Sequence, residues 1–449
     1  MQIPPFGFGP SEAMKQLSQW LGNPALNHAI KEAAQKLGIK EVPSASNVQE
    51  VLKQAGKWLE QATDPLFTSN AASSKRNLEN GINATGELFH SRWTSQPISQ
   101  SASRLGAYLH SGYSQDPAIS QEVERLLIAS SGAAGALVIA NLPTAVHIVA
   151  KDNPNVILPR IACLRLPVAG TPSGVHLRHL IDAAGARVTE IGSNSDCLHD
   201  DYAKAAAMHP GALIFQASPL SAQNDAFAAI EHAKTTRGLV CTLALDASLV
   251  DLQWSDSITN ALSRSWDSGP DLIIAPTNYL LGGPYAAVIL GKKSAIDRIR
   301  PIAEQLGAYP DRITQALLHS VLTESLQNDG WTKSPVGSVL STSAANLENR
   351  AQRLAIQLQG LSTIARVEIL GQPHRIGNGP WTPLKLPTSI VRIYPQAISV
   401  AKLSEALEAN RPAIWGQVYS DHIDLVLRSV DPADDSQIVQ AFTTLNPSD

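Results

Sequence analysis

Residues 271–291, DLIIAPTNYLLGGPYAAVILG, decide the fold. They read as two short apolar strands, DLIIAP (271–276) and AAVILG (286–291), joined by a connection that turns on Gly282 and Gly283. Neither run alternates apolar with polar residues, so each strand is expected to be covered on both faces. The same kind of run recurs upstream as ALVIA (136–140), NVILPRI (155–161), ARVTEIG (186–192), ALIFQAS (212–218) and LVCTLALD (239–246). Helical stretches such as LRHLIDAAG (177–185) and DAFAAIEHAKTTRG (225–238) lie between them. Strands alternating with helices predict an α/β domain with a mostly parallel sheet, helices packing on both sides.

Outward from this region the pattern changes twice. Residues 1–80 carry apolar positions at three-to-four spacing in SEAMKQLSQWLG (11–22), PALNHAIKEAAQKLG (24–38) and NVQEVLKQAGKWLEQA (47–62), which predicts a helical N-terminal extension. After the large α/β domain, placed at 81–300, residues 301–449 begin with long helical runs. Strands SIVRIYP (389–395) and HIDLVLR (422–428) then flank one helix, AKLSEALEA (401–409), and the pattern predicts a small α+β domain. With 44% apolar and 16% charged residues in 449, a large buried core is expected and global disorder is not. No apolar run reaches the roughly 20 residues of a membrane-spanning helix. The N-terminus also lacks a basic segment followed by an apolar one, so the expected location is the cytoplasm. Cys163, Cys197 and Cys241 are too scattered to suggest a disulfide framework or zinc site. A net charge of −4 shows none of the basic excess of a protein that grips a nucleic-acid backbone.

Four stretches carry a resemblance, and they occur in a fixed order. They are Ile82-Asn83-Ala84-Thr85-Gly86-Glu87-Leu88-Phe89-His90; Ser248-Leu249-Val250-Asp251-Leu252; Leu280-Leu281-Gly282-Gly283-Pro284 with the strand after it; and Ile376-Gly377-Asn378-Gly379 with Leu386-Pro387 and HIDLVLR. Together they resemble the bacterial selenocysteine synthase family, fold-type-I enzymes that use pyridoxal phosphate (PLP), over about residues 80–449. The resemblance implies a fold-type-I PLP-dependent transferase-like large domain, a C-terminal α+β domain, and a homodimer or higher homo-oligomer.

The resemblance also marks where the family's chemistry departs. In the family a lysine directly before LLGGP forms the Schiff base with PLP, and here that position is Tyr279, a phenol that cannot form an imine. The family's aspartate at the pyridine nitrogen aligns with Leu243, or with Asp246 if the junction after the strand is shorter. Of the family's phosphate-binding asparagines only Asn141 is kept, followed by Leu142 and Pro143. Family arginines fall at Ser95 and Asp196, and a basic pair in a later loop becomes Tyr309 and Arg312, so that one member is retained. His90 and Arg312 are the candidate substrate-binding residues. Asn141, Asp246, Ser248, Asn278, Tyr279, Gly282 and Gly283 outline a vestigial pocket with no confident catalytic residue. The reading this implies is a non-catalytic or repurposed relative of L-seryl-tRNA(Sec) selenium transferase, with no PLP held covalently, an unknown ligand or partner, and little affinity for tRNA. The alternatives are an active PLP-dependent selenium transferase or related lyase, and an interaction subunit that partners a catalytic paralogue.

Two further constellations favour a structural role. His176 and His179 could share a helix face near Asp182, but no other ligand residue completes a metal site. Ser399-Val400-Ala401-Lys402 fits a four-residue hydrolase pattern, yet it opens a predicted helix, where serine serves as an N-cap. Lys292 and Lys293, beyond the strand that follows the LLGGP turn, are expected at the surface.

Overall fold

A computed structural model describes residues 81–89, 96–110, 119–160, 165–168, 171–194, 196–218, 223–224, 226–255, 258–259, 261–266, 269–327, 329–377 and 384–445. The expected N-terminal helices, His90, Ser95, Cys163, Asn378 and Gly379 lie outside the described residues.

The seven strands expected in the large α/β domain form one sheet. They are β1 (Gly135–Ile139), β2 (Asn155–Pro159), β3 (Arg187–Ile191), β4 (Leu213–Ser218), β5 (Leu239–Ala244), β6 (Leu272–Pro276) and β7 (Ala287–Gly291), in the order β1-β7-β6-β5-β4-β2-β3. Every neighbouring pair is parallel except those of β7, which runs against both β6 and β1. The cause is local. The connection 277–286 is shorter than the dozen or so residues a parallel crossover needs, so the chain must turn straight back.

Alternate residues of β1, β5, β6 and β7 feed two cores, as the period of two requires. Leu137, Ile139, Leu243, Ile274 and Ile289 pack against α3 (Leu142–Lys151), which buries Ala145, Val146, Ile148 and Val149. Ala136, Val138, Ala244, Ile273 and Val288 face the other way. There they meet Val123 and Leu127 of α2 (Ile119–Ser131), and Leu318 and Leu322 of α8 (Arg312–Ser325). The remaining helices of this region are α1 (Gln100–His110), α4 (Leu177–Ala183), α5 (His199–Met208), α6 (Ala226–Thr236) and α7 (Lys293–Gln305).

Two short helices, α9 (Gly330–Lys333) and α10 (Pro335–Ser341), lead to α11 (Ala344–Gln359) and a four-stranded antiparallel sheet. That sheet comprises β8 (Ile364–Arg375), β9 (Lys385–Pro395), β10 (Gln417–Val418) and β11 (Ile423–Val426), in the order β8-β9-β11-β10. Its own core joins Val391, Ile393, Ile423 and Leu425 to Leu347, Leu354 and Leu358 of α11, with α12 (Val400–Ala409) and α13 (Asp435–Thr443). Ile82 and Ala84 belong to this core, because Gly81–Asn83 pairs in parallel with Ala413–Trp415. Among the described residues no helix is long and apolar enough to cross a membrane.

Candidate functional site

The loop 277–284 leaves the carboxyl end of β6 and is pinned mainly by its own backbone. The Thr277 N–H donates to Ala286 O at 3.0 Å, and Gly283 N–H returns to Thr277 O at 2.7 Å. Gly282 N–H reaches Tyr279 O at 2.9 Å, while the Thr277 hydroxyl donates to Pro284 O at 2.5 Å. Gly282 sits at φ +69°, where a side chain is strained, and a Cβ there would lie 2.9 Å from Val336 Cγ1. The Trp331 indole N–H donates to Leu280 O at 2.8 Å, so α9 closes over the turn. An open cavity of about 220 Å³ borders Gly282, with Glu324, Ser325, Lys333 and Ser334 in its walls.

Within this loop Thr277, Asn278 and Tyr279 are all buried. The Tyr279 ring meets Phe89 edge to face, centroids 5.4 Å apart at 72°, the arrangement aromatic quadrupoles favour. Burial pushes the Tyr279 phenol far above the usual tyrosine range, and Tyr285 adds to the shift. Leu243, fully buried in β5, belongs to the same apolar cluster as Tyr279, Phe89, Leu142 and Trp331.

The polar candidates are engaged locally. Asp246, two residues beyond β5, is buried and accepts from the Thr259 hydroxyl at 3.0 Å; that hydroxyl in turn accepts from Trp254 Nε1 at 2.7 Å. Ser248 is fully buried, and its Oγ accepts from Val250 N–H at 3.3 Å. Asn141 is the N-cap of α3, its Oδ1 accepting from Thr144 N–H at 2.9 Å and from Thr144 Oγ1 at 2.8 Å. Pro143 in the first turn brings no N–H to that helix end.

The remaining candidates lie in other settings. Arg312 is the first residue of α8, capped by Asp311, whose Oδ1 accepts from Ile313 and Thr314 N–H. Tyr309 is half-buried beside Arg300. Asp196 accepts from its neighbour Ser193 Oγ at 2.5 Å, within its own loop. Lys292 pairs with Asp271 at 2.6 Å, beyond the far end of β7 from Tyr279, and Lys293 pairs with Asp297. His176 precedes α4, its ring centroid 5.4 Å from that of His179, while Asp182 pairs with Arg178. Burial lowers the His176 pKa, with Arg165 and then His179 adding to the shift. Ser399 caps α12 by accepting from Lys402 N–H at 3.3 Å. Among the described residues no group of three or more histidine, cysteine or carboxylate side chains could hold a metal.

One set of residues escaped the sequence reading. Segment 82–89 latches onto the C-terminal sheet domain through side chains that motif matching leaves without a role. Asn83 Oδ1 accepts from Thr85 N–H and Oγ1 at 3.1 and 2.7 Å, an Asx turn that leads into Gly86 at φ +78°. Gly86 N–H donates to Ser429 Oγ, whose hydroxyl donates to Asn83 O, and the buried Glu87 accepts from Arg375 Nε at 2.5 Å. The Asn-Ala-Thr-Gly run was a turn signal; the partners 288 and more residues away were not readable from it.

A seven-stranded sheet with one reversed strand, followed by an antiparallel α+β domain, defines a fold-type-I PLP-dependent transferase-like protein. In line with this, the structure of D-glucosaminate-6-phosphate ammonia-lyase aligns with TM-score 0.59 and 14% identity, covering 83% of this chain and 97% of that one. The family model for L-seryl-tRNA selenium transferase matches residues 96–431, and the chain belongs to that family. It is 24% identical over 408 residues to L-seryl-tRNA(Sec) selenium transferase of Clostridium perfringens (strain 13 / Type A), covering 83% of this chain and 86% of the relative. The Geotalea daltonii protein of the same name is 24% identical over 437 residues, covering 89% and 92%.

Proposed function

We propose that this chain is a member of the selenium transferase family whose cofactor site has been rebuilt for packing, and that it acts as a non-catalytic or repurposed relative of L-seryl-tRNA(Sec) selenium transferase. The observation that carries the reading is the buried Tyr279 ring against Phe89, at the position matched to the family's lysine. Covalent PLP chemistry needs a primary amine for the imine and a carboxylate at the ring nitrogen. At the matched positions stand a phenol, Tyr279, and an aliphatic side chain, Leu243, while Asn141 is spent on capping α3. These residues do not fit a covalently held PLP. The protein works in this reading as a homo-oligomer in the cytoplasm, where buried free thiols such as Cys197 and Cys241 stay reduced.

One feature favours the second reading, an active PLP-dependent transferase or lyase. Asp246 keeps a buried carboxylate in the segment where the family's ring-nitrogen partner lies. A single experiment separates the two. The protein is purified from cells supplied with pyridoxine, reduced with borohydride, digested and searched by mass spectrometry for a pyridoxyl-lysine peptide. The expected result is none; such a peptide at any lysine overturns the proposal.

A further inference from the structure

We propose that the cleft between α10 and the C-terminal domain binds a small oxyanion of the phosphate class, held by Lys333, Arg350 and Arg428; this is independent of the fate of the PLP site. The cleft encloses about 220 Å³. That is several times the roughly 30 Å³ that a water molecule occupies and below the about 300–1,000 Å³ of pockets for drug-sized ligands. It suits a small ion with some of its water.

Arg428 supplies the main argument. It is only 5% exposed, and every hydrogen bond it makes goes to a neutral carbonyl. Its NH1 donates to Val339, Leu340 and Thr342 O at 3.1, 3.4 and 2.5 Å, its NH2 donates to Pro387 O, and its Nε is buried with no partner. Burial alone moves its pKa, downward to about 10, and the group is still charged at neutral pH. A buried cation without a counter-charge is costly, because carbonyl dipoles solvate it but do not neutralise it. Arg350, in the same wall, shows the usual solution: Asp435 accepts from its Nε and NH2 at 3.1 and 2.7 Å. Arg428 has no such carboxylate among the described residues, and neither does Lys333 at the exposed rim.

The one acid lining the cleft, Asp431, is exposed and turned to its own helix start, its Oδ1 accepting from Ala433 N–H at 2.9 Å. A purely structural role for Arg428, capping the last carbonyls of α10, accounts for its NH1 bonds. It does not account for a second cation without a carboxylate, Lys333, at the rim of the same void. A bound oxyanion supplies the missing charge, and forked guanidinium donors are the groups that recognise it best. Because Val336 of α10 abuts Gly282, such an ion would also brace the helix behind the LLGGP turn.

The test is calorimetric titration of the full chain with inorganic phosphate, ionic strength held constant with chloride, and a parallel titration with methyl phosphate. The expected result is saturable binding of one phosphate per chain, with a rise in Tm. Lys333→Glu, an exposed change that leaves the ligand-free Tm in place, is expected to weaken binding roughly tenfold or more. Methyl phosphate binding as well as phosphate identifies a phosphomonoester as the ligand; binding of phosphate alone identifies the free ion. Absence of saturable phosphate binding, or equal affinity in Lys333→Glu and the native protein, overturns the proposal.

Discussion

At the scale of single residues, the position directly before the LLGGP turn is a packing element. Tyr279 is buried against Phe89 in the cluster that contains Leu243 and Trp331. Truncation to alanine leaves a ring-sized void that this close-packed cluster can only partly fill. Tyr279→Ala is therefore expected to lose about 3–5 kcal/mol of stability, measured by urea unfolding. A loss well under 1 kcal/mol would mean that the ring is not a core element. The phenol adds a pH dependence with a definite sign. Its folded pKa is raised by burial, so the folded state keeps a proton that the unfolded chain releases near pH 10. Its contribution is thus complete below about pH 10 and is lost as pH rises beyond it. Tyr279→Phe is expected to show a shallower fall in stability between about pH 9 and pH 11 than the native protein, and equal slopes would refute it. The tyrosine itself was legible in the sequence, directly before LLGGP. What the ring touches was not, because Phe89 lies almost two hundred residues earlier in the chain. The choice between Leu243 and Asp246 also exceeded the sequence, because spacing does not say where β5 ends; it ends at Ala244.

At the scale of elements, the sheet was legible because each strand is a short, nearly continuous apolar run, and such runs belong to strands covered on both faces. The reversal of β7 follows from a connection length rather than from any residue type. The helix start after β1 shows what a motif leaves open, which is the local use of a side chain. The resemblance would assign Asn141 to phosphate binding, and its side chain satisfies the N–H of Thr144 in the helix it caps. Asn141→Ala is expected to cost about 1 kcal/mol of stability. Serine at the same site should recover most of it, as a capping role requires. Denaturant midpoints of the two variants decide the matter, and a serine variant as unstable as the alanine one would count against capping. Segment 82–89 shows the opposite failure. Its partners Ser429 and Arg375 lie in the C-terminal part of the chain, and local pattern carries no information about contacts at that separation.

At the scale of the whole molecule, charge is the property that bears most on partners. The relatives carry tRNA in their names, whereas this chain has 35 basic against 39 acidic residues. Affinity for a nucleic-acid backbone grows with the number of phosphates neutralised, each releasing counterions. The resemblance would assign Ser95, Asp196 and Tyr309 to positions of basic residues, and Asp196 is bound within its own loop by Ser193. The cations around the cleft of Arg428 are too few and too enclosed to follow a polyanion. The competing idea is that Lys53, Lys57, Lys75 and Arg76 gather into one basic face that composition hides. Filter binding with the serine-accepting selenocysteine tRNA, at low and at physiological salt, discriminates between them. A nonspecific interaction at physiological salt is typically no tighter than about 10⁻⁶ M, and that is the strength expected here. It should fall steeply with added salt and show no preference over an ordinary serine tRNA. Submicromolar affinity that persists at physiological salt, with such a preference, would require a basic face assembled from residues scattered in sequence and would make the active-enzyme reading the stronger one.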